Sequence, residues 1–346
     1  MELKPSPGFL PRLEALRGVA AVSVVGYHVT AIYWDIIATG LIAVVMFFVL
    51  SGFVLARSLQ QNPSPAAFFR SRFFRLFPPA AATVLLLAAL YWLFGFWVGF
   101  RGEFDPFNVL LNALMIKSDI NGVMWSMTVE CAATPVILGS FWALGVFGPT
   151  PLIIACLILV GLSFWGPYVH LLGGFTNLAP LYGFVIGVLV CCQQRDFLQR
   201  LSLRVVYMLT AGAIALMFFC GVKKQTAPVI LLEVIGSAWI IAAIAFGPSN
   251  PVFRLLDLRI VRFYGRISYS FYLLHPIGIS IATKWLAPLA LQPTITSGAL
   301  TTVLAVLCTT PLAWASWRAI EAPSKRLGRS QDKLAGAEAG SRLSPS

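Results

Sequence analysis

The chain alternates between long apolar runs and short segments that hold most of its charge. Windows of about 20 apolar residues, enough for a helix to cross the bilayer core, fall at roughly 16–34, 36–56, 77–100, 124–146, 151–166, 175–192, 204–222, 227–246, 266–287 and 297–317. They predict an all-α fold, a polytopic transmembrane helix bundle of about ten helices. The fifth window is short and runs into Gly166–Pro167, so it is expected to tilt or insert partway. Pro135 and Pro180 fall inside their spans and are expected to kink them. No internal repeat is visible, which weighs against an inverted-repeat transporter.

Composition sharpens this picture. Of 346 residues, 58% are hydrophobic and only 11% charged, and the mean hydropathy is +0.83; soluble domains carry about 25% charged residues. The net charge of +12 could suggest nucleic acid. Its distribution argues for membrane topology instead, and no nucleic-acid partner is expected. With the N-terminus inside, only Arg101, Lys117, Lys223, Lys224 and Lys284 of the 25 basic residues face outward. By the positive-inside rule both termini are cytoplasmic, as an even span number requires. No cleavable signal peptide is seen, so insertion is expected to begin with the first helix. Residues 1–323 are expected to form one membrane domain, and 324–346, rich in Ser, Gly, Ala and charge, a disordered cytoplasmic tail.

Cys131, Cys156, Cys191, Cys192, Cys220 and Cys308 lie in or beside apolar stretches and read as small buried hydrophobes. Three histidines far apart match no ligand spacing, and no metal is expected.

Against this apolar background His28, Glu130 and His275 stand out. An ionisable group at bilayer depth costs roughly 2.5–3.5 kcal/mol on insertion scales, so each is a candidate for chemistry or transport. His28 follows Arg17 by eleven residues, close to three helical turns, which puts it about 16 Å deeper on the same face. An imidazole there suits a general base, or plain helix packing. Glu130, in MWSMTVE, is expected near the outer end of the fourth span. His275, in GRISYSFYLLHP, should match His28 in depth, on a helix whose Ser268, Tyr269, Ser270 and Tyr272 face the bundle interior. Arg70, Arg72 and Arg75, in RSRFFRLFPP, read as a basic aromatic loop at the membrane surface. Arg72 and Arg75, three apart, suit phosphate, although simple membrane anchoring would also explain them. Ser51–Gly52 reads first as a close-packing site, Glu233 as helix-pairing polarity, Glu321 as a structural partner of Arg17 or Arg75, and His170 as a solvated loop residue.

Together LEALRGVAAVSVVGYH, FFVLSGFVLARS, RFFRLFPP, WSMTVE, GRISYSFYLLHP and IEAP, spread in order over residues 13 to 323, resemble acyltransferase family 3, the integral-membrane O-acyltransferases of bacteria. Arg17 and His28 match that family's Arg-x10-His motif, Arg72 and Arg75 its Arg-x-x-Arg motif, and Glu130 the acid of its Trp-Ser-x-x-x-Glu segment. Met127–Thr128 departs from the Ser-rich stretch that many members carry.

The resemblance implies transfer of an acyl group, most often acetyl, from cytoplasmic acyl-CoA (acetyl-CoA) to a hydroxyl of a cell-surface or exported carbohydrate. It implies a place in the bacterial inner membrane, with exopolysaccharide or lipopolysaccharide assembly proteins as conceivable partners. Arg17, Arg72 and Arg75 would hold the phosphates of coenzyme A. His28 would be the base or a transient acyl carrier, Glu130 would orient it, and His275 would be a second proton carrier. A membrane transporter or flippase for a polar or lipid-linked substrate is the competing reading of the same buried groups.

Overall fold

A computed structural model of the chain describes residues 10–33, 41–100, 102–165, 179–193, 198, 200–223, 225–248, 250–289 and 291–328, and among these the structure is helical with no strand. The main helices are α1 (Pro11–Tyr33), α2 (Leu41–Gln61), α3 (Pro65–Phe94), α4 (Pro106–Ala113), α5 (Trp125–Phe147), α6 (Thr150–Trp165), α7 (Ala179–Gln193), α8 (Leu203–Gly221), α9 (Ala227–Phe246), α10 (Arg259–Leu286) and α11 (Ile295–Ser316). Seven segments are long and apolar enough to cross a membrane: 11–33, 43–61, 65–94, 122–147, 203–221, 227–246 and 295–328. The protein is an integral membrane protein. Helices α6 and α7 are apolar but shorter. His170 and residues 329–346 of the expected tail lie outside the described residues. Residues 322–328 are helical, so the last helix runs beyond the expected boundary at 323.

The largest departure from the sequence reading is α3. The stretch holding Arg70, Arg72 and Arg75 is not a surface loop but the first turns of a 30-residue helix. Its start was written locally: the Ser64 side chain accepts from the Ala67 amide, and Pro65 sits at the first helical position, where its missing N–H costs nothing. Pro78 and Pro79 lie inside the helix rather than before it. A proline cannot bond the carbonyl four residues back, which frees Phe74 O and Arg75 O; the Ser324 hydroxyl, from the far end of the chain, donates to Phe74 O. Tyr269 Oη adds a bond to Leu76 O at 2.7 Å. Neighbouring helices thus satisfy backbone that lipid could not.

Helix α10 is too polar to be counted among the seven apolar spans, yet it is the most enclosed. It is buried without interruption from Ile267 to Ile279 and packs chiefly against α1 and α11. Its serines and tyrosines face protein, as the sequence suggested. On the other side of the bundle α2 and α7 approach closely: a Cβ on Gly52 would collide with Phe184 O, and one on Gly187 with Val49 O.

Between α3 and α5 the chain dips into the bundle. Asn112 Nδ2 donates to Asp119 Oδ1 at 2.6 Å, Asn112 Oδ1 accepts from the Ile120 amide, and Lys117 Nζ donates to Asn108 Oδ1. This braced loop delivers Asn121, whose amide donates to Leu273 O at 2.9 Å, halfway along α10. Helix α5 therefore starts deep inside rather than at the surface.

At the opposite end, Arg12 Nη2 contacts Asp257 Oδ2 at 2.6 Å and Arg262 Nη2 contacts its Oδ1 at 3.0 Å, tying the segment before α10 to α1. The hydrogen bond from Arg12 holds the Asp257 carboxyl down at about 2. A depressed carboxyl stabilises the fold above its unfolded value of about 3.9. The difference in melting temperature between wild type and Asp257→Asn should therefore persist at neutral pH and vanish as the pH falls toward 2. Gly52→Ala should destabilise the protein by about 1–3 kcal/mol through overpacking. Gly139→Ala, where nothing stands within 4 Å of the added carbon, should be near neutral in the same thermal melts.

Candidate active site

The first turns of α3, the basic end of α2 and the start of α1 enclose a cavity of about 350 Å3. Arg17, Arg57, Arg72 and Arg75 line it, with Glu321 and Lys325 on the far wall. The Nε atoms of all four arginines are buried without a hydrogen-bond partner among the described residues. Unpaired guanidinium nitrogens around a cavity suit an anionic ligand.

Arg72 is the anchored member of the set. It is 4% exposed and Glu130 7%; its Nη2 lies 2.7 Å from Glu130 Oε1. The same oxygen accepts from Ser51 Oγ at 2.8 Å. Ser51, read from sequence as a packing residue, thus completes a buried triad between α2, α3 and α5. Glu130 was expected near the outer end of its span. It sits instead beside Ser51, six residues or about 9 Å from Arg57 along α2, because α5 begins deep. Its carboxylate is an arginine partner.

Glu321 takes a different partner from the one expected. Its Oε2 accepts from Ser270 N at 3.2 Å and Ser270 Oγ at 2.6 Å, and its Oε1 from Lys325 Nζ at 2.5 Å, rather than bonding Arg17 or Arg75. The wide turn Trp317–Glu321 is a π-helical insertion, which turns this fully buried carboxylate inward. Glu233 bonds Gln225 at 2.8 Å and lies apart from the arginine cavity.

A separate small space of about 20 Å3 is lined by Arg17, Phe47, Met127, Glu130, Tyr269 and Tyr272 among others. Tyr272 leads to the histidines: its ring centroid is 5.6 Å from that of His275, which is 5.2 Å from His28. The two histidines expected at equal depth are neighbours. His28 is half-buried and His275 fully buried. His275 Nδ1 lies 2.6 Å from Tyr272 O. A carbonyl only accepts, so Nδ1 carries the proton, and in the neutral ring Nε2 bears the lone pair. That Nε2 is buried without a hydrogen-bond partner among the described residues. Tyr272 O is open to this bond because the residue four positions on is Pro276, which has no N–H to offer.

Residues 10–318 match the family model described as an acyltransferase domain. The chain belongs to the acyltransferase domain family. The matched stretch takes in α1 to α11 and every candidate residue except Glu321. Two curated relatives are similar over short stretches. Protein 2 in the picA locus of Rhizobium radiobacter is 36% identical over 84 residues, 23% of this chain and 44% of that protein. Acyltransferase MdmB of Streptomyces mycarofaciens is 37% identical over 93 residues, 23% of this chain and 24% of that protein. The chain thus spans less than half the length of these relatives. No solved structure matches it.

Within this acyltransferase domain, Arg17, Arg72 and Arg75 converge on one cavity, His28 and His275 on one another, and Glu130 on the arginines. Sequence reasoning missed Ser51, Tyr272 and Asn121 as structural supports of the site. For Tyr272 a signal existed: Tyr269, Tyr272 and His275 recur at three-residue steps on one face of α10.

Truncating one partner of a buried ion pair strands the other, so Glu130→Ala should destabilise the protein by about 3–5 kcal/mol. The double variant Arg72→Leu with Glu130→Leu should recover most of that in thermal unfolding, and an additive double loss would refute the coupling. Pro276→Ala should return an amide to Tyr272 O and loosen the His275 ring, readable as a change in the tautomer-sensitive 15N shifts of His275 in a folded protein.

Proposed function

We propose that this protein is a membrane O-acyltransferase that moves an acyl group, acetyl in the first instance, from acyl-CoA to a hydroxyl of a cell-surface or exported carbohydrate. The observation that carries the reading is an arginine-lined cavity together with the pair of His28 and His275, set about 16 Å from Arg17 along α1. Ten spans follow if α6, α7 and α10 cross the membrane with the seven apolar segments. The basic bias then puts the arginine cavity and both termini in the cytoplasm of the bacterial inner membrane. Carbohydrate-assembly proteins are the natural suppliers of an acceptor on the other side.

In this reading Arg17, Arg57 and Arg75 hold the phosphates of coenzyme A, and Arg72, fixed by Glu130, shapes the cavity floor. The pantetheine arm extends past Arg17 and Tyr269 toward Tyr272. There His275 Nε2, or His28 beside it, takes the proton of the acceptor hydroxyl. The oxygen attacks the thioester carbon, the carbon–sulfur bond breaks, and the proton passes to the leaving thiolate. Glu130 serves as a positioning residue through Arg72, in place of the imidazole-orienting role expected from the sequence.

Heat protection of the purified protein by acetyl-CoA tests the donor site. Arg75→Ala and Arg17→Ala should lose that protection. His28→Ala and His275→Ala should keep it while slowing thioester consumption by roughly 10²–10⁴-fold, the usual range for general acid–base catalysis. A protein that acetyl-CoA neither protects nor occupies would favour a carrier for a polar or lipid-linked substrate.

A further inference from the structure

Arg57 lines two cavities. One is the arginine cavity. The other, of about 340 Å3, lies where α2 and α7 end and is lined by Arg57, Gln60, Gln61, Cys191, Cys192 and Phe246. That lining holds no acidic side chain, so Arg57, its Nε buried without a hydrogen-bond partner among the described residues, sets the charge there. The two sulfurs are not equivalent. Cys191 follows Gly187 by four residues and so shares the α7 face that packs on Val49 and Gly52. It is 7% exposed, and its thiol donates to Gln60 Oε1 at 3.8 Å. Cys192 is half-buried, and its sulfur accepts from Gln60 Nε2 at 3.5 Å. One amide thus engages the proton of the first thiol and donates to the sulfur of the second. None of the other four cysteines lines either cavity.

We propose that Cys192 is a thiol modification site, where the disulfide of a small anionic thiol forms a mixed disulfide and Arg57 holds the anion. The inference stands apart from the donor reading above. A reactive thiol needs partial exposure and an electropositive setting. Cys192 has both, whereas Cys191 lies deeper with its proton engaged by Gln60. In the step Cys192 gives its proton to solvent, and its thiolate attacks one sulfur of the incoming disulfide. That sulfur–sulfur bond breaks, a disulfide to Cys192 forms, and the other half leaves as a thiolate that takes up a proton. The incoming disulfide is the oxidant. Cys191 does not resolve the adduct, because adjacent Cα atoms stand about 3.8 Å apart and a relaxed disulfide spans about 4.4–6.8 Å.

Incubation of the purified protein with oxidised glutathione, whose carboxylates outnumber its ammonium groups, followed by peptide mass analysis tests this. One glutathione adduct per chain should form on Cys192, and dithiothreitol should remove it. Cys191→Ser should keep the adduct, and Cys192→Ser should lose it with an unchanged melting temperature. Arg57→Ala should slow its formation by about 10-fold or more. The uncharged disulfide of mercaptoethanol should react at equal rates with wild type and Arg57→Ala, showing that the variant is folded and its thiol open. No adduct in the wild type, labelling spread over several cysteines, or an adduct that persists in Cys192→Ser would overturn the site. So would a glutathione rate indifferent to Arg57, or a disulfide between Cys191 and Cys192 in place of the adduct.

Discussion

The pairing of Arg72 with Glu130 is the constraint on which the site depends. Two charges at these exposures, 4% and 7%, are expensive to desolvate, and their attraction offsets that cost only in tight geometry. At 2.7 Å, with a second bond from Ser51 to the same oxygen, the geometry is tight, and it joins α2, α3 and α5 at one depth. It also explains why Arg17 and Arg75 can face the cavity with Nε unpaired. One carboxylate is committed to the anchored arginine, and Glu321 is committed to Ser270 and Lys325. Positive charge is left over where an anionic ligand would bring its own counter-charge.

Prolines inside helices do much of the positioning. In a membrane every freed carbonyl needs a partner from within the protein, so a proline fixes which neighbour must come close. Pro78 opens Phe74 O to Ser324 and so ties the last helix to α3. Pro276 opens Tyr272 O to His275 Nδ1 and so sets which ring nitrogen holds the lone pair. The same device thus ties two helices together in one place and sets the tautomer of a buried histidine in another.

The acyltransferase domain takes in the whole bundle from α1 to α11. The arginine cavity is lined by α10 at Gly265, Arg266, Ser268 and Tyr269, and the 102–124 segment, which includes α4, meets the same helix at Leu273. Asn121 on that segment bonds Leu273 O, and Tyr272 bonds Val123 O, so one segment holds both the backbone before His275 and the tyrosine beside it. A change in that segment would be felt at both.

The sequence by itself determined the all-α class and the apolar membrane-capable spans, seven among the described residues, and it singled out the candidate residues. Hydropathy is summed over twenty residues and survives local error, which is why most spans were legible. Arg17, His28, Arg72, Arg75, Glu130 and His275 were legible because a charge in an apolar run is costly wherever the run folds. Even the start of α3 was written in Ser64–Pro65, although Pro78–Pro79 invited a break that neighbouring helices remove. Partnership was not legible. Ser51, Arg72 and Glu130 lie up to 79 residues apart, and nothing local says which arginine a buried carboxylate will choose or that α5 begins at mid-depth. Helix packing decides these, because a hydrogen bond needs its atoms within about 3 Å, and only the tertiary structure brings such distant positions that close.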